Sequence, residues 1–459
     1  MTTLFPLGFY SSNPNGNDAA AMATFTGEFN KFSALMGAAP AFMNSFTDFG
    51  HSPDTWGANA GWSSWSWKQS GKLDAVIPVV GIPLSDGQHW SPNNVAFFQA
   101  IIIGTYDAAY TAVGDAWLAN YPLVCFRPGY EFNANFMPWS WGSDATTAAL
   151  WVQAFQHVAT LLHASAKKAS KKVQIIWNPC CINWTALDVR SAYPGDDYVD
   201  VHGADVYSPC YPLDLHDWTH SGQTFTDGAA WAREATNRAH FWEYQNASQW
   251  NLEGSDIGWS MRMALGFARQ RGKSIMICEC GSGGDDGKLG PIDDAAFPIA
   301  LANMLITSGV PIVAVMIWAT DQSDGHWGFL NGDRPNKAAA WRRSFGAQDA
   351  ASSIVVPTAV PAVAASSAPA TTAKPAPAAT AVAELTDRNG KTFTLTFDPS
   401  VKKNFYANDT GLASNIYVWP AGDGSNVISP DSAWALPTIK LHRNGCNVRA
   451  QSFTSITTD

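Results

Sequence analysis

Apolar runs recur through the first three quarters of the chain, at residues 5–10, 41–46, 75–80, 123–127, 173–177, 199–207, 274–278 and 310–318. Most are continuously apolar rather than alternating, the pattern of a strand buried on both faces. Stretches of helical periodicity fall between most of them, for example 146–168 and 256–271. Short strands alternating with helices predict a parallel sheet. Eight such units within residues 1–350 predict an α/β fold closed into a (β/α)8 TIM barrel with long loops.

The pattern then stops. Residues 356–379 are almost entirely Ala, Pro, Val, Ser and Thr, which bury no core and favour extended polyproline backbone. A Pro/Ala-rich linker is therefore expected at 351–381. Beyond it, Lys391-Thr-Phe-Thr-Leu-Thr-Phe397 alternates like a half-buried strand, and Asp387-Arg-Asn-Gly390 carries the Asn-Gly of a tight hairpin. Residues 382–459 are expected to form a small all-β module. Trp419 and Trp434 fit a carbohydrate-binding or attachment role, and a spacer or assembly role fits equally.

Composition narrows the partners. The 459-residue chain carries a net charge of −10, only 14% charged residues and no basic cluster, which excludes nucleic acid. No apolar run approaches the length of a membrane-spanning helix. Met1-Thr-Thr leads almost directly into an apolar run without a secretory leader. A secreted or periplasmic protein in processed form is expected, with a cytoplasmic one as the alternative, and a monomer in either case. The seven cysteines are an odd number, so not all pair internally, and none has zinc-ligand spacing. No metal or organic cofactor is implied. The 21 tryptophans are the outlier, and many stand beside Gly, Asn and Asp. Aromatic faces lining a groove hold sugar rings by stacking on their apolar sides.

Two glutamates carry the candidate chemistry. Glu131 follows the fourth run, in Leu123-Val-Cys-Phe-Arg127-Pro-Gly-Tyr130-Glu131-Phe-Asn133, and Glu279 follows the seventh, in Ser274-Ile-Met-Ile-Cys-Glu279-Cys-Gly281. A carboxylate at the C-terminal tip of a barrel strand points into the mouth, and strands four and seven face each other across it. Paired carboxylates there are what cleavage of a glycosidic bond requires. Alternation along the strand puts Cys278 and Cys280 on the face opposite Glu279.

The segment Arg127 to Asn133, followed by Trp139-Ser-Trp141-Gly142, resembles the acid/base region of glycoside hydrolase family 26. That family belongs to the clan of retaining (β/α)8 hydrolases with the acid/base on strand four and the nucleophile on strand seven. Trp177-Asn178-Pro179, Tyr193-Pro-Gly-Asp196, Gly203-Ala-Asp205-Val-Tyr207 and Ile277-Cys-Glu279-Cys-Gly281 resemble further parts of its barrel, in the same order. The resemblance implies Glu131 as acid/base and Glu279 as nucleophile. It also implies that Tyr207 donates a hydrogen bond to the nucleophile and that Trp318 is the stacking platform. Arg127 either anchors a carboxylate in the site or closes a barrel salt bridge, and Asn178 either meets a sugar hydroxyl or caps a loop. Trp139 and Trp141 extend the platform on this reading, as do Trp56, Trp62, Trp65 and Trp67 in the loop after strand two; that four-Trp loop is otherwise a hydrophobic plug over a barrel helix. One departure stands out: mannanases of the family usually carry His before the acid/base, where this chain has Tyr130. Tyr130 therefore alters the sugar-binding surface, and mannan does not carry over alone. A β-linked polysaccharide of mannan or β-glucan class is the expected substrate and partner. A non-catalytic polysaccharide-binding barrel, a structural or assembly scaffold, and an inverting enzyme are the rivals.

Overall fold

The computed structural model describes residues 3–182, 185, 187–208, 258–283, 292–322 and 326–347, and beyond these only the backbone of short strands. The barrel strands are β1 (Leu7–Tyr10), β2 (Phe42–Phe46), β3 (Ile77–Ile82), β4 (Leu123–Pro128), β5 (Lys172–Trp177), β6 (Val201–Tyr207), β7 (Ile275–Gly281) and β8 (Ile312–Trp318). They close in sequential order, each parallel to its neighbours, with β8 pairing back onto β1. The expected (β/α)8 barrel is the observed one. Strand ends differ by a few residues from the apolar runs. The difference that matters is β7, which continues through Glu279 to Gly281 rather than ending at Cys278.

Helices cover the outside: α1 (Ala19–Met36), α2 (Pro53–Gln69), α3 (Asn94–Ile102), α4 (Asp107–Asn120), α5 (Ala145–Ala169), α6 (Met261–Arg271), α7 (Ala296–Thr307) and α8 (Pro335–Phe345). Side-chain caps start several of them. Asp144 accepts from the amides of Thr146 and Thr147 at the head of α5, and the Ser260 hydroxyl accepts from Met263 N at the head of α6. The second helical stretch was expected from residue 256; α6 begins at its cap, and 256 and 257 lie outside the described residues.

Two cores result from strands buried on both faces. Phe42, Val79, Cys125, Ile176, Val201, Met276, Cys278, Ala314 and Met316 fill the barrel interior. The opposite strand faces, including Val124, Phe126, Ala204, Val206 and Ile277, join the helices in the larger outer core.

The expectation of a loop after β2 is corrected here. Residues 53–69 form α2, with Trp56 and Trp67 buried in the barrel wall and Trp62 and Trp65 exposed. Burial of Trp56, Ala60, Ser64 and Trp67 follows a helical period that small polar residues disguise in the sequence.

The chain divides into two compact units, Met1–Pro357 and Thr358–Asp459. In the second unit, β9 (Ala381–Thr386) pairs antiparallel with β10 (Thr392–Phe397). With β13 (Thr438–Leu441) and β15 (Ser455–Thr458) they make a four-stranded sheet, while β11 (Ile416–Pro420), β12 (Asn426–Pro430) and β14 (Val448–Ala450) make a three-stranded one. The linker at 356–379, the Asn-Gly turn and Trp434 lie outside the described residues, as does the side chain of Trp419.

Candidate active site

Alternation along β4 turns Cys125 and Arg127 inward, while Val124 and Phe126 face the helices. Arg127 is fully buried at the floor of the mouth. Its Nη2 donates to Glu279 Oε1 at 2.8 Å, and its Nη1 donates to Asn178 Oδ1 at 3.0 Å and to Asp205 Oδ2 at 3.3 Å. The guanidinium stacks over Tyr130 and Phe46, with Cζ 4.9 and 5.3 Å from the ring centroids. Both roles read for Arg127 thus coincide, since it anchors carboxylates and cross-links β4 to β6 and β7. Asn178 serves as its acceptor.

Glu279 owes its direction to an irregularity. Against β6, Ala204 pairs with Ile277 and Asp205 with Glu279, so Cys278 is left over; against β8 the register slips in the same place. Such a bulge turns two consecutive side chains to one face. Cys278 lies in the interior core with Met276, and Glu279 points into the mouth; Cys280 alone faces the helices. The expectation that both cysteines oppose Glu279 therefore fails for Cys278. Tyr207 OH donates to Glu279 Oε2 at 2.9 Å, so both carboxylate oxygens are held by donors. Burial first, then the nearby charge of Glu279, pushes the Tyr207 pKa well above the phenol range. Its proton stays in place for donation.

Glu131 sits just past β4 with a left-handed backbone, φ 54°. Gly129 before it is also left-handed, at φ 56°, and a Cβ there would lie 2.7 Å from Leu84 Cδ1. A non-glycine residue in this region is strained, and surrounding contacts must hold it. They do. Glu131 N donates to Asn178 O at 2.8 Å. Asn133 exchanges two hydrogen bonds of 2.8 Å with the backbone of Cys180, clasping the loop after β4 to the loop after β5. At least one carboxyl oxygen each of Glu131, Asp205 and Glu279 lies within 4.8 Å of the others, and all three residues are buried.

Asp205, quoted in a motif but given no role in the sequence reading, also belongs to this cluster. It is fully buried beside Arg127. Burial foremost, and the Glu279 charge, raise its pKa well above the carboxylate range against the pull of Arg127. Of its two carboxyl partners, Arg127 lies closer to Glu279, at 2.8 Å, than to Asp205, at 3.3 Å.

The remaining expected residues separate into two sets. Trp318 ends β8, half-buried at the mouth, with its ring 4.1 Å from Tyr10 and 6.5 Å from Tyr207. Tyr10 and Phe46 complete that aromatic wall and carried no sequence signal beyond ending apolar strands. Tyr130 is buried between Phe46, Trp139 and Arg127. Trp139 and Trp141 lie behind it: Trp139 donates to Tyr130 O at 2.5 Å, and Trp141 packs on Phe132. Both are essentially without exposed surface, so their faces meet protein rings rather than a groove. The five described cysteines are buried, and Cys125, Cys278 and Cys280 are free thiols.

Residues 111–241 match the family model described as glycosyl hydrolase family 26. That span takes in Glu131, Asn178 and Tyr207. Among curated proteins, Endoglucanase H of Acetivibrio thermocellus is 28% identical over 151 residues, 32% of this chain. The matched region spans only 16% of that relative's length. Among solved structures, GH26C from Muricauda sp. MAR_2010_75 is 16% identical and aligns over 74% of this chain and 84% of its own, with TM-score 0.48. A modular endo-beta-1,4-mannanase from Cellulomonas fimi is 15% identical and aligns over 92% and 89%, with TM-score 0.46. The family match bears out the resemblance read from the motifs over residues 111–241.

Proposed function

We propose that this protein is a retaining endo-glycoside hydrolase acting on a β-linked polysaccharide of the mannan or β-glucan class. The observation that carries the reading is the pair of buried glutamates from β4 and β7, with carboxyl oxygens within 4.8 Å. Retaining enzymes keep their two carboxyl groups about 5–5.5 Å apart, whereas inverting ones leave about 6.5–9.5 Å for a water.

The roles follow from the surroundings. Glu279 is gripped at both oxygens by Arg127 and Tyr207, which favour its charged form and fix its direction. It attacks the anomeric carbon while Glu131 gives its proton to the departing oxygen, leaving a glycosyl ester on Glu279. Glu131, now a carboxylate, takes a proton from water, and that water's oxygen displaces Glu279. Trp318 supplies a flat apolar surface for the ring being distorted. Endoglucanase is the activity named for the curated relative, and it supports the β-linked substrate class. Action outside the producing cell fits polymer substrates.

The test separates the two glutamates. Glu279→Ala is expected to abolish hydrolysis of every substrate. Glu131→Ala is expected to spare the first step on aryl glycosides whose leaving group needs no proton, with azide restoring turnover and yielding the β-glycosyl azide. Near wild-type turnover of an aryl glycoside by Glu279→Ala would refute the assignment.

A further inference from the structure

The outer surface of α2 is built unlike an ordinary solvent-facing helix stripe, which charged residues normally occupy. Its exposed line runs Asp54, Ala58, Trp62, Trp65, Gln69, successive positions of one helical face whose only charge is at the first turn. Trp62 and Trp65 are 41% and 38% exposed, with ring centroids 5.2 Å apart and planes at 44°. The other two tryptophans of the helix are fully buried, so the barrel wall needs only those.

Trp65 is held in place. Gly16, in the loop after β1, donates its N–H to Ser66 Oγ at 3.1 Å, and a Cβ on Gly16 would come within 2.3 Å of the Trp65 ring. The loop backbone therefore lies directly on the indole, a contact that only glycine permits, and fixes one side of the ring. Asn15 and Asn17 flank that glycine in sequence.

We infer that this face is a second carbohydrate-binding site, separate from the cleft, for the same class of neutral β-linked polysaccharide; the inference rests on the reading above for that class. A pair of exposed indoles offers sugar rings a stacking surface. The amides of Gln69 on the stripe and of Asn15 and Asn17 beside Gly16 are neutral partners for hydroxyls. Past Asp54 at the head of the helix, the four stripe residues from Ala58 to Gln69 include no ionised side chain, and the part of the face around the two indoles matches a neutral glycan. The two indoles expose about 200 Å² together, far below the roughly 800 Å² that each partner of a stable dimer buries. The area suits a few sugar units rather than a second copy of the chain. Trp62 lies nine residues along a helix that leaves the mouth side, about 14 Å down the flank, too far to serve the cleaved bond.

The experiment is affinity electrophoresis of the full chain in gels containing soluble galactomannan or mixed-linkage β-glucan, with Glu279→Gln as parent so that the polymer stays intact. Adding Trp62→Ala and Trp65→Ala is expected to reduce retardation about threefold or more, the loss of one or two stacked rings. In otherwise active enzyme the same double substitution should leave kcat/KM on an aryl glycoside unchanged. Equal retardation of parent and double variant, or no retardation of the parent, overturns the inference. So does a shift in sedimentation coefficient without polysaccharide, which assigns the face to a second copy. Absence of glycan hydrolysis by the wild type would instead refute the proposed catalytic function, because retardation is read independently of turnover.

Discussion

Arg127 shows how a single residue organises the site: one buried guanidinium binds Glu279, Asp205 and Asn178 and floors two aromatic rings. It was visible in the sequence because a charge inside an apolar run needs a partner. The two glutamates were visible because each follows an apolar run at the C-terminal tip of a barrel strand. Asp205 was not, since in Val201-His-Gly-Ala-Asp-Val-Tyr207 it reads as one polar position among several. The better signal was that Asp205 and Tyr207 share one strand face, two residues apart. Trp318 can be tested at this scale. Half-buried against Tyr10, with an indole N–H that has no partner among the described residues, it presents a surface to a sugar rather than a strut to the fold. Trp318→Ala is expected to lower kcat/KM at least tenfold, about 1.4 kcal/mol of transition-state stabilisation, with little change in melting temperature. A variant that melts much earlier yet catalyses normally would make Trp318 a core residue.

At the scale of elements, apolar runs located every barrel strand, but their ends were legible only to within a few residues. The bulge in β7 was not legible at all, because Cys278 and Glu279 look like ordinary alternation until the neighbouring strands set the register. Helix α2 was hidden by its glycines and serines, which weaken helix propensity while tertiary packing overrides it. The contact between β6 and α6 supplies a pH prediction. His202 faces outward from β6 among Trp177, Tyr193 and Phe267. Burial foremost, helped by Lys273, lowers its pKa to about 4. The folded value lies below the unfolded one of 6.5, so the unfolded chain takes up the proton first as pH falls. Stability is then retained above about pH 6.5 and lost toward pH 4, by about 3 kcal/mol at most. His202→Gln is expected to show a smaller drop in melting temperature between pH 7 and pH 4 than the wild type. An equal drop in both would show that His202 gains no proton on unfolding.

At the scale of the whole molecule, the chain divides into two compact units, Met1–Pro357 and Thr358–Asp459. We propose residues 1–350 as the catalytic unit, 351–381 as a tether and 382–459 as an accessory module. The barrel closes on itself within the first unit: Ala347 N donates to Met36 O at 2.7 Å, just after α8. A chain ending near Ala350 is therefore expected to fold and to hydrolyse soluble substrate at the rate of the full chain. Loss of either property would make the second unit part of the catalytic body.

The central claim is that Glu279 becomes covalently glycosylated. A 2-deoxy-2-fluoro β-glycoside with a good leaving group forms that ester quickly and releases it slowly, because the fluorine disfavours both charged transition states while the leaving group speeds the first. After incubation and proteolysis, mass spectrometry is expected to find one sugar per chain, on the peptide that contains Glu279. A label on any other carboxylate, or an unlabelled protein whose natural products appear first as the α-anomer, would contradict the account.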